Sequence, residues 1–107
     1  MAKNYKTFEE IERDDLVQEM HQCQLYMESA TRVVKRLKDV VSMLPEDTRE
    51  YKEFRGELAR SKKALLDAYR AYESKHEELQ SHCLAYCLPG NNFIPAFELL
   101  QILSERG

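Results

Sequence analysis

From Phe8 to Leu44 the chain runs thirty-seven residues without a glycine or a proline, and no other feature restricts its fold as much. The run opens on Thr7 and Glu10 in capping-box spacing, where a hydroxyl takes a first-turn amide and a carboxylate reaches back. One long helix is predicted there. It should stop at Leu44-Pro45-Glu46-Asp47, because proline biases the preceding residue away from helix and Asp47 with Glu50 offers a second start. The next segment contains one glycine, Gly56, and ends in Leu88-Pro89-Gly90-Asn91-Asn92, the strongest turn cluster in the sequence. Pro95 suits a first helical position and opens a short apolar helix.

These signals predict an all-α fold: an antiparallel hairpin of two long helices, about 8–44 and 48–87, a loop at 88–94 and a short C-terminal helix at about 95–105. At 1.5 Å per residue, each long helix would span about 55–60 Å. A chain of 107 residues is the size of a single domain. Only six glycines and prolines and 33% charged residues weigh against a turn-rich β protein.

Apolar residues in the first helix alternate by three and four through Leu16, Met20, Cys23, Met27, Ala30, Val34, Leu37, Val41 and Leu44, a heptad stripe. Tyr26, Val33 and Val40 lie on one flank of it, so the buried face is expected to be wider than a two-stranded seam. The second helix carries Tyr51, Phe54, Leu58, Leu65, Tyr69, Tyr72, His76, Leu79, Cys83 and Tyr86, with one slip of phase near Lys62. Two helices bury one stripe each, which is little for a small domain. Self-association into a helical bundle, as a dimer or higher, is therefore expected. The C-terminal helix is apolar on nearly every side and must dock, either over the open end of its own or a sister hairpin or in a groove of another protein. Leu16, Met20, Met27, Val34, Leu37 and Val41, with Phe97, Leu100 and Leu103, are the residues expected to carry assembly.

Charge is uneven along the chain. Residues 32–63 hold ten Lys or Arg against six Asp or Glu, whereas the remainder carries a net charge of −7. A hairpin with these residues at its tip is basic at one end and acidic at the other, and antiparallel association would bring the two together. The second reading is a small regulatory protein that binds an anionic ligand or nucleic acid through Arg32, Lys35, Arg36, Arg55, Arg60, Lys62 and Lys63. Charged helix faces are more often simply solvated, and the overall charge of −3 offers no bulk attraction to nucleic acid or anionic membranes.

Few catalytic chemistries fit. Glycines at 56, 90 and 107 cannot form a phosphate-cradling loop, and no serine sits in a nucleophile-elbow context. Cys83 and Cys87, four apart, could supply half a metal site, but His76 lies about 10 Å of helix rise away from Cys83. Glu73 and His76 form one Glu-x-x-His, the pair that di-iron bundles use twice, with Asp15 and Glu19 opposite it in a hairpin. With 14 glutamates in the chain the pair is common by chance, and a seam histidine bonded to a neighbouring carboxylate is the plainer reading. Tyr26, Tyr69, Tyr72 and Tyr86 read as core or interface aromatics rather than a stacking platform. Gly56 would serve close approach of another helix at the tip.

The expectation is a non-enzymatic helical interaction or adaptor protein, acting as a homo-oligomer without cofactor or metal, with another protein as partner. Neither a signal peptide nor an apolar run of membrane-spanning length is read in the sequence. Three cysteines cannot all pair within one chain. Reduced thiols and a cytoplasmic setting follow.

Overall fold

The computed structural model describes residues 5–89 and 92–106, so Met1–Asn4, Gly90, Asn91 and Gly107 lie outside the described residues. Within them the fold is helical: α1 (Phe8–Met43), α2 (Arg49–Ala85) and α3 (Ala96–Glu105). The expected capping box closes α1, with the Glu10 amide donating to Thr7 Oγ1 at 3.2 Å and the Glu10 carboxylate accepting from the Thr7 amide. The start of α2 shifts by one residue. Thr48, not Asp47, is its cap, accepting from the Tyr51 amide at 3.2 Å while its hydroxyl donates to the Pro45 carbonyl at 2.7 Å. That second bond ties the cap to the proline that turns the chain.

The helices reverse at Pro45 as a hairpin. Lys75 of α2 meets Glu19 of α1 at 2.8 Å, and His82 Nε2 donates to the Glu9 carbonyl at 2.7 Å, contacts that only an antiparallel pair can make. The molecule is a rod of 71 × 23 × 20 Å. α2 ends two residues earlier than expected: Cys87 takes a left-handed φ of 52° and the Leu88 amide donates to the Cys83 carbonyl at 2.9 Å, a Schellman-type stop. Tyr86, expected in the seam, is consequently past the helix and exposed. Of the expected turn cluster, Gly90 and Asn91 fall outside the described residues.

Beyond the turn the chain comes back along the hairpin. Leu88, Pro89 and residues 92–95 are non-helical, and three carbonyls there are captured by hairpin side chains: Arg13 donates to Pro89, His76 Nε2 to Phe93 at 3.0 Å and the Tyr72 hydroxyl to Ile94 at 2.7 Å. A partly buried backbone without a sheet or helix of its own needs such donors. α3 follows at Ala96, one residue later than expected, with Pro95 as its cap rather than its first helical residue. It runs towards the tip, since Leu100 lines a groove with Val34 and Leu65, and Arg106 a cleft with Arg36 and Asp39.

The core is thus three-layered. Met20, Met27, Tyr72, Leu79 and Cys83 are sealed by Ala96, Leu99 and Leu103 together with Leu88 and Ile94. The C-terminal helix docks on its own hairpin, over the middle of the rod rather than its open end. The hairpin tip, roughly residues 40–58, has no third layer.

One expected flank is corrected. Tyr26 is 71% and Val33 45% exposed. At 100° per residue they face away from α3, which instead covers the side bearing Val17, Gln24 and Thr31. Thr31 is buried there because its hydroxyl donates to the Met27 carbonyl at 2.7 Å.

Candidate functional site

The expected assembly residues divide sharply. Met20 and Met27 are 0% exposed, Val34 and Leu103 are buried, and Leu16, Leu37, Val41 and Leu100 are half-buried within the chain. The buried members of the seam hold the hairpin and α3 together, while its half-buried members keep part of their surface open. Phe97 alone among the expected residues is exposed, at 60%. It borders an apolar groove with Leu100, Val34, Leu65, Leu66 and Tyr69.

The face opposite α3 is uncovered. Cys23, Ala30, Ala64, Ala68 and Ala71 floor a shallow groove of about 420 Å³ between α1 and α2, with Tyr26 and Ser29 on its rim. Small side chains there let another helix come close. Burial holds the Cys23 thiol above its ordinary range, and Glu19 adds to this while Lys75 opposes it, so the thiolate is disfavoured. Lys75 is itself raised by its bonds to Glu19 and Glu78, a bridge at the acidic end of this groove.

The expected basic tip does not form a single patch. On α2, Arg55 and Lys62 point one way around the helix, Lys63 another, and Arg60 a third, where it pairs with Glu57 at 2.8 Å. On α1 the outcome is different. Arg32, Lys35 and Arg36 line one cleft of about 440 Å³ with Arg106, the C-cap residue of α3. None of these four cations enters an ion pair among the described residues, although Glu28 and Asp39 line the same cleft. Arg106 is the member that sequence spacing could not find, because only the return of the chain brings it near residue 36.

The metal candidates are dispersed. Cys87 lies beyond the end of α2 and is exposed, so it shares no helical face with buried Cys83. His76 is bonded to a backbone carbonyl rather than the carboxylate expected, Glu19 is engaged by Lys75, and Glu73 lies against the Tyr69 hydroxyl. Among the described residues no three His, Cys, Asp or Glu side chains converge. Nor does Gly56 mark a close approach: a Cβ there would meet only Arg60 Nη1, at 3.8 Å. Among the described residues no helix is long and apolar enough to cross a membrane.

No protein-family model, no curated protein and no solved structure matches the chain.

Proposed function

We propose that the chain is a non-catalytic helical interaction protein that pairs with a second copy of itself through the hairpin face opposite α3, in antiparallel orientation, and presents the resulting bundle to other proteins. The observation that carries this reading is the alanine-floored groove with Tyr26 standing 71% exposed at its rim. A large aromatic beside a groove of small residues is self-complementary under a twofold axis, since each Tyr26 reaches the floor of the other copy. Burying Tyr26 and Val33 would supply about 1.5–3 kcal/mol per side chain. Antiparallel pairing lays the basic residues 32–63 of each copy along an acidic stretch of the other, which sets the direction.

Sedimentation equilibrium at micromolar concentration is expected to return a dimer, and Tyr26→Asp a monomer of unchanged helicity. A wild-type mass of one chain throughout that range would defeat the proposal. Dissociation by Phe97→Asp with Tyr26→Asp remaining dimeric would move the interface to the α3 side.

A further inference from the structure

The cleft between α1 and the end of α3 lies on the side of the hairpin away from the alanine-floored groove. Arg32, Lys35, Arg36 and Arg106 bring four positive charges to one concavity against two carboxylates, Glu28 and Asp39, and none of the four is paired among the described residues. Lys38, Lys52, Arg55, Lys62, Lys63 and Arg70 likewise enter no ion pair among the described residues, so what sets the cleft cations apart is their convergence on one concavity. Three of them are arginines, whose planar forks grip phosphate oxygens in pairs. The cations come from two different helices, one of which is the returned tail.

We infer that this cleft binds a compact, multiply charged phosphate chain, and that the bound anion clamps α3 onto α1. The lining offers no aromatic ring on which a base would stack, so recognition reads the phosphates and not a nucleobase. The remaining predicted cations point away in several directions around α2, which gives a long polyanion no continuous track. Thr31 adds no donor, its hydroxyl being committed to the Met27 carbonyl. Placed between Arg36 and Arg106, an anion lowers the repulsion between their charges and joins the two elements, so docking of α3 and occupancy of the cleft reinforce one another.

Calorimetric titration of the full chain with inorganic tripolyphosphate in about 150 mM salt, above which exposed charges are largely screened, tests the inference. One site per chain is expected, with Arg36→Gln and Arg106→Gln each weakening it about tenfold and Lys63→Gln, outside the cleft, changing it less than about twofold. Hydrogen exchange with tripolyphosphate present should slow at residues 96–105, and this protection should vanish in Arg36→Gln, whose exposed α1 position leaves the fold intact. Binding that is absent at this salt, or weakened equally by Lys63→Gln, overturns the inference, as does tripolyphosphate binding without added protection of α3. An oligonucleotide that binds far more tightly than tripolyphosphate and loses affinity in Lys63→Gln would assign the charge to an extended polymer surface and overturn it too.

Discussion

Gly56 sits mid-helix with nothing but the far end of Arg60 near the space a Cβ would occupy. Gly56→Ala should therefore raise stability by about 1 kcal/mol, read as a higher urea midpoint at unchanged slope. Tyr72 presents the opposite case. Its ring is 1% exposed and its hydroxyl donates to the Ile94 carbonyl, so Tyr72→Phe orphans that carbonyl at a cost of about 1–3 kcal/mol near neutral pH. Burial raises the Tyr72 pKa above 10.0. The stability held in its protonated form is complete below pH 10 and is lost as pH rises through the raised value. The gap between wild type and Tyr72→Phe, followed by denaturation at several pH values, should narrow above pH 10. From the sequence, Tyr72 was legible as a core aromatic by its spacing. Its hydrogen-bond partner was not, because Ile94 lies across a turn whose path no local pattern dictates.

At the scale of elements, caps and breakers located the helices to within two residues. The errors have separate local origins. Thr48 displaced Asp47 because its hydroxyl also reaches Pro45, and α2 stopped short because Cys87 adopts a conformation more usual for glycine. Periodicity likewise found the seam of α1, yet it could not say which flank α3 would cover, since Tyr26 and Val33 look as buriable as Val17 and Thr31 until the returning chain takes one side. α3 itself depends on tertiary contact, ten residues being too few for an independent helix. Leu99, 5% exposed, anchors it. Leu99→Ala should cost about 2–5 kcal/mol and release the amides of residues 96–105 to exchange while the hairpin stays protected, a split visible by mass spectrometry of peptic fragments.

For the molecule as a whole, the separation of charge along the rod was read directly from residue counts, whereas the cleft with Arg106 needed the folded chain. Antiparallel pairing through exposed charges should weaken as salt rises, so the proposed dimer's dissociation constant is expected to increase several-fold between 50 and 500 mM sodium chloride. Along its length the rod also changes in thickness, from three layers beside α3 to two at the tip. Local opening should be easiest where the third layer is missing, and that region contains Arg49, Lys52 and Arg55. Brief trypsin treatment should therefore nick the tip first. The two halves would stay locked by the core around Met20, Tyr72 and Leu99, migrating as two bands on a denaturing gel but as one particle in gel filtration.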